Sequence, residues 1–259
     1  MVSHPLSLPR AYPYSDFMGI SIIFIGLAML VLGLFVVTLS GSMAQEGKNK
    51  RMIKAVTSST YFARTNEFKI YNRFAKPGGI VFVGDSLTQR YPLNEFYPGL
   101  HLYNRGIDGD TTEGVLKRLE LSIFDLKPTM MVLQIGTNDL QVAGLSKENT
   151  ISNIQLIVRN IQTTQPSIKI ILVSLYPVNL SVDKLVNKFI VGPRNNQDIK
   201  TINEAIEKIQ GVRFVNAYPH LLNEDKELNM QYSKEGLHLS LAGYATITPL
   251  IKNAIDALL

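Results

Sequence analysis

Apolar and polar positions alternate along this chain with two different periods. Ile80-Val81-Phe82-Val83 is a short unbroken apolar run, the pattern of a strand buried on both faces. Gly84 ends it, and the polar residues Asp85 and Ser86 follow at once. Comparable runs lie at 101–104 (HLYN), 129–135 (TMMVLQI), 168–175 (IKIILVSL) and 212–215 (VRFV), each with Gly or Pro close by. Between them the apolar residues fall at helical spacing. Residues 112–124 carry Val115, Leu116, Leu119 and Ile123. Residues 147–164 carry Ile151, Ile154, Ile157, Val158 and Ile161. Residues 195–209 carry Ile199, Ile202, Ala205, Ile206 and Ile209, and 241–258 carry Ala245, Leu250, Ile251, Ala254, Ile255 and Leu258 around a distorting Pro249. A looser helical pattern spans 54–74 and stops at Pro77-Gly78-Gly79. Strand alternating with helix predicts a three-layer α/β/α domain with a mostly parallel central sheet over residues 54–259.

One block fits neither period. Residues 17–40, FMGISIIFIGLAMLVLGLFVVTLS, contain no charge. At about 1.5 Å per residue such a helix crosses a hydrocarbon core of roughly 30 Å. The expectation is therefore an N-terminal tail (1–16), one transmembrane helix (17–40) that contacts the lipid bilayer, a juxtamembrane linker (41–53) and then the domain. The localisation this gives is a membrane, through a single-pass anchor. The alternative is a signal peptide cleaved after Ala44, since Ser42-Met43-Ala44 offers small residues. Lys48, Lys50, Arg51 and Lys54 follow the run and favour the domain on the cytoplasmic side.

Composition narrows the chemistry. There is no cysteine among 259 residues, so disulfides and thiol catalysis are excluded. The net charge of +5 is scattered and forms no nucleic-acid stripe. The four histidines are widely spaced and suggest no metal, and without GxGxxG or a Walker loop no cofactor is implied. Nothing in the pattern speaks to oligomeric state.

The strand ends are where the polar residues collect. Gly84-Asp85-Ser86, Asn104-Arg105-Gly106 and Gly136-Thr137-Asn138-Asp139 each follow a strand, and the carboxyl ends of parallel strands share one edge. Glu235-Gly236-Leu237-His238 precedes the last helix and can return an imidazole there. Alone, Gly-Asp-Ser is read equally well as a turn or helix cap.

Together, these four blocks resemble the SGNH, or GDSL, family of serine esterases and lipases over roughly residues 78–258. The resemblance implies Ser86 as nucleophile, His238 as base and Glu235 as its orienting acid. It implies an oxyanion hole from the N–H groups of Ser86 and Gly106 and the Asn138 amide. Asp85 and Asp139 are expected to brace the loops by accepting backbone N–H bonds. The implied function is hydrolysis of carboxylic esters through an acyl-enzyme, with a lipid or short-chain acyl ester, or an acylated glycan, as substrate. An O-acetyl carbohydrate esterase, an acyltransferase, and a binding module with a decayed site are the alternatives. A hydrolase behind an anchor more usually faces outward, so the side of the membrane stays open.

Two residues depart from the family pattern. Glu235 stands where the family usually has Asp, and Asp108 stands where it often has a small residue. Inward-pointing, the Asp108 charge would oppose an oxyanion. The segment 176–194, apolar residues among lysines, is expected to cover an apolar substrate, to rest on the bilayer, or to pack on the domain's own core.

Overall fold

The computed structural model describes Lys48 and residues 51–259. Residues 53–259 form the compact unit that carries the fold. The expected membrane helix over 17–40, the linker before residue 48 and the cleavage point after Ala44 lie outside the described residues. Among the described residues no helix is long and apolar enough to cross a membrane. The expected transmembrane helix is therefore no part of the described fold, and no observation supports it. The bilayer contact and membrane localisation that rested on it are likewise unsupported.

The elements are α1 (described over residues 51–71), then β1 (Ile80–Gly84), α2 (Ser86–Gln89), α3 (Leu93–Phe96), β2 (Leu102–Gly106), α4 (Thr112–Lys117) and α5 (Leu119–Ser122). They continue with β3 (Met130–Gln134), α6 (Lys147–Thr164), β4 (Lys169–Val173), α7 (Lys188–Val191), α8 (Asn196–Ile206), β5 (Arg213–Val215) and α9 (Leu241–Asp256). The five strands form one sheet in the order β2-β1-β3-β4-β5, every neighbouring pair parallel.

The period of two along each strand divides the core. Val81, Val83, Met131, Leu133, Ile170 and Leu172 face one layer, with α4, α5, α6 and α8 packed on it. Ile80, Phe82, Met130, Val132, Ile171 and Val173 face the other, covered chiefly by α3 and α9. Both faces are buried, which is why the strands read as continuous apolar runs rather than as alternation. α1 presents Phe68 to the edge of this core, with the Arg105 guanidinium 4.8 Å from its ring centre, and Tyr61 donates to Gly114 O at 3.1 Å.

The single helix expected over 112–124 is broken at Arg118, whose backbone leaves helical geometry (φ −124°, ψ 19°). The cause is its side chain. The guanidinium turns into the protein to pair with Asp110 at 2.8 Å and donates to Arg105 O, Gly84 O and Ser122 Oγ. These bonds tie the ends of β1 and β2 to the loop that follows β2. Pro249 does sit inside α9, which runs on to Asp256.

Candidate active site

β1 ends at Gly84, and its register partner on β2 is Gly106, so both chains leave the sheet side by side. Only glycine fits at the second of these exits: a Cβ on Gly106 would lie 2.1 Å from Gln89 N. Asp85 caps α2, its Oδ1 accepting from Leu87 N at 2.9 Å. Ser86 is then the first residue of that helix and is 4% exposed. Asp85 itself is fully buried, and its Oδ2 has no hydrogen-bond partner among the described residues. Burial pushes its carboxyl up to about 7, against the Leu87 hydrogen bond and the Arg194 charge.

The imidazole reaches Ser86 from a tight turn. Ser233 and Leu239 bridge antiparallel, Gly236 N donates to Ser233 Oγ at 2.8 Å, and Gly236 adopts φ +99°. Glu235 and His238 therefore flank one turn, and their side chains meet across it. Glu235 Oε1 accepts from the His238 backbone N–H at 2.9 Å and lies 2.5 Å from Nδ1. His238 Nε2 is 3.0 Å from Ser86 Oγ. Burial alone would raise the Glu235 carboxyl, but the bonds from His238 outweigh it and hold the group below its ordinary range. The extra methylene of Glu235 is taken up within the turn, where one oxygen meets both nitrogens.

Asn138 follows β3, buried at the same edge. Its Nδ2 donates to Asp110 O at 3.0 Å, and its Oδ1 accepts from Arg194 Nη2 at 2.7 Å. One amide hydrogen remains without a partner among the described residues. The Gly106 N–H is not free in the same way: it donates to Asn104 Oδ1 at 2.9 Å. Three residues on, Gly109 adopts φ +76°, and its N–H has no partner among the described residues. Sequence reasoning singled out neither Arg194 nor Gly109. A Gly-Asp pair before the Thr111 cap was a visible turn signal for Gly109, whereas Arg194 lies 56 positions from Asn138 with nothing local to mark it.

Asp108 does not aim an isolated charge at the site. Its carboxylate pairs with Arg90, at 2.8 Å to Nη2 and 3.3 Å to Nε. Asp139 accepts from Thr112 N at 2.8 Å and from the Thr112 hydroxyl, joining the loop after β3 to α4. Burial raises its carboxyl to about 6, and the Thr112 donors work against that rise. The 176–194 segment divides between core and surface. Val178, Val186 and Val191 join the core, while Val182, Leu185 and Phe189 are exposed.

Comparison with known proteins bears on this geometry. The model of the GDSL-like Lipase/Acylhydrolase family matches residues 82–246. Human platelet-activating factor acetylhydrolase IB subunit alpha2 is 32% identical over 199 residues, covering 73% of this chain and 83% of that protein. The human alpha1 subunit is 28% identical over 185 residues, covering 70% of this chain and 76% of that protein. A GDSL-like lipase from Bacteroides thetaiotaomicron superposes with a TM-score of 0.65 at 28% identity, over 76% of this chain and 100% of that one. The family match falls on the domain that holds Ser86 and His238. The chain belongs to the GDSL-like lipase/acylhydrolase family and is a hydrolase of ester bonds.

Proposed function

We propose that this protein is a serine esterase that releases short, acetyl-sized acyl groups from a lipid alcohol through an acyl-enzyme on Ser86. The observation that carries the chemistry is the chain of contacts from Glu235 through His238 to Ser86, at 2.5 and 3.0 Å. A neutral serine hydroxyl is a weak nucleophile and needs a base within hydrogen-bond reach. Glu235 holds Nδ1–H, which leaves Nε2 unprotonated and facing Oγ.

The steps follow from that arrangement. Ser86 Oγ bonds to the acyl carbon while its proton passes to His238 Nε2. The carbonyl π pair moves onto oxygen, and donors already in place stabilise that oxyanion. The candidates are Ser86 N–H, the spare Asn138 amide hydrogen and Gly109 N–H, which replaces Gly106 because Asn104 occupies the Gly106 N–H. The intermediate collapses, the alkoxide leaves with the proton from Nε2, and the acyl group stays on Oγ. Water then gives a proton to Nε2, attacks the same carbon and releases the acid, restoring the Ser86 hydroxyl. Each donor lost from such a hole typically costs about 3 kcal/mol in the transition state. Asp85 and Asp139 have no part in proton transfer here; they accept the bonds that shape the two loops.

The acetyl-sized substrate is supported by the relatives, whose name states removal of an acetyl group from platelet-activating factor. A panel of 4-nitrophenyl acetate, butyrate and octanoate, a 2-acetyl phospholipid and an acetylated xylan tests it. The expected order places acetate above octanoate in kcat/KM, and the phospholipid above the glycan. Preference for octanoate would overturn the acyl size, and preference for acetylated xylan would overturn the alcohol.

A further inference from the structure

Arg194 is buried, with 2% of its surface exposed, and no carboxylate among the described residues pairs with it. Its guanidinium is spent on neutral acceptors. Nε donates to Thr137 O at 2.9 Å and Thr137 Oγ1 at 3.1 Å. Nη1 donates to Ile190 O at 2.9 Å, to Val191 O at 2.7 Å and to Gln141 Oε1. Nη2 donates to Asn138 Oδ1 at 2.7 Å. Burying a cation without a contacting carboxylate is costly, and burial does pull this group down to about 10. Even so it stays charged near neutral pH. Neutral side chains could hold the same carbonyls without that cost, so the charge calls for a reason.

The Asn138 amide supplies one. An amide flips between two nearly isosteric orientations unless its oxygen and nitrogen meet different partners. Arg194 can only donate, so Oδ1 must face it, and Nδ2 must face Asp110 O and the edge that holds Ser86. A charged donor on Oδ1 also draws electron density from the amide nitrogen, which makes the remaining N–H a stronger donor. The same guanidinium grips the last carbonyls of α7. The segment leading into α7 in turn holds the turn of the base, with Asn187 N donating to Glu235 O and Asn179 N to Gly236 O, both at 2.9 Å.

We propose that Arg194 is a positioning residue of the esterase site, orienting and polarising the Asn138 amide as an oxyanion donor through the Nη2–Oδ1 hydrogen bond. The proposal rests on the reading of Asn138 as a donor given above. A lysine at 194 would keep the charge but lose the fork that reaches Thr137, α7 and Asn138 together.

A double-mutant cycle on the full-length protein tests it, using Asn138→Ala, Arg194→Met and both together, with Arg194→Lys as a milder second variant. Hydrolysis of 4-nitrophenyl acetate is measured per active site, titrated with a fluorophosphonate, and folding is followed by circular dichroism. Asn138→Ala is expected to lower kcat about 100-fold or more. Arg194→Met is expected to lower kcat at least about tenfold with KM within twofold, and the double variant to be no slower than Asn138→Ala alone. Arg194→Lys should show a smaller loss with the same non-additivity, which decides the matter if Arg194→Met does not fold. If Asn138→Ala keeps the parental kcat, the donor reading of Asn138 fails and this proposal falls with it. If Asn138→Ala is slow but the Arg194 losses multiply with it, or are confined to melting temperature, Arg194 is structural and only this proposal is overturned.

Discussion

Replacing Asp85 with asparagine should reverse a pH-dependent weakness next to the nucleophile. Asp85 is fully buried, and only one of its oxygens has a partner among the described residues. Burial moves its carboxyl from the ordinary 3.8 to about 7 in the folded protein. Between those values the folded state binds the proton and the unfolded state does not, so stability falls as pH rises. The loss begins near the unfolded value and is complete above the folded one. At about 1.4 kcal/mol for each pH unit between the two values, the full penalty is about 4 kcal/mol. An asparagine at this position would keep an oxygen for Leu87 N and have no proton to lose. The assay is urea unfolding of the parent and Asp85→Asn from about pH 4 to pH 8.5, followed by circular dichroism because the chain has no tryptophan. Asp139 is also raised, to about 6, but it is present in both proteins and drops out of the difference. The stability of Asp85→Asn relative to the parent should grow by several kcal/mol across that range, most steeply between about pH 4 and pH 7. A difference that stays flat with pH would show that Asp85 ionises in the folded protein as it does in the unfolded chain, and would refute the reasoning.

Other expectations follow from single contacts. Gly106→Ala places a Cβ 2.1 Å from Gln89 N and should cost at least about 2 kcal/mol of stability in the same urea assay. Arg118→Met leaves Asp110 buried without its ion partner and should cost about 3–5 kcal/mol, visible as a lowered melting temperature. Glu235→Gln should fold normally yet lower kcat on 4-nitrophenyl acetate by at least about tenfold, and Glu235→Asp should fall between it and the parent. Equal kcat/KM for Glu235→Gln and the parent across pH would make Glu235 a bystander.

The sheet was legible because each strand is buried on both faces and so carries a continuous apolar run, with glycine or proline beside it. The positions of Ser86 and Asn138 at one edge were legible for the same reason, since parallel strands deliver their carboxyl ends together. What the local pattern could not show is set by contacts between distant segments. Arg118 occupies a polar position in a helical repeat and reads as solvent-facing, but its acceptors Gly84 O and Arg105 O come from two strands. The Gly106 N–H reads as free until the Asn104 side chain folds back onto it. Arg194 and Asn138 meet only because α7 is drawn over the loop that follows β3. The apolar run at 17–40 shows the opposite difficulty. Hydropathy alone marked it as a membrane helix, but the run lies outside the described residues, among which no helix has that character.

The most direct measurement is labelling of the full-length protein with a fluorophosphonate, followed by peptide mass spectrometry. The reagent phosphonylates only a serine whose proton is being taken by a base and whose oxyanion is stabilised. One adduct per chain is predicted, on the peptide that carries Ser86. Labelling should be lost in Ser86→Ala and slowed at least about tenfold in His238→Ala, in parallel with hydrolysis of 4-nitrophenyl acetate. An adduct on another serine, or ester hydrolysis that survives Ser86→Ala, would contradict the assignment of Ser86 as the nucleophile.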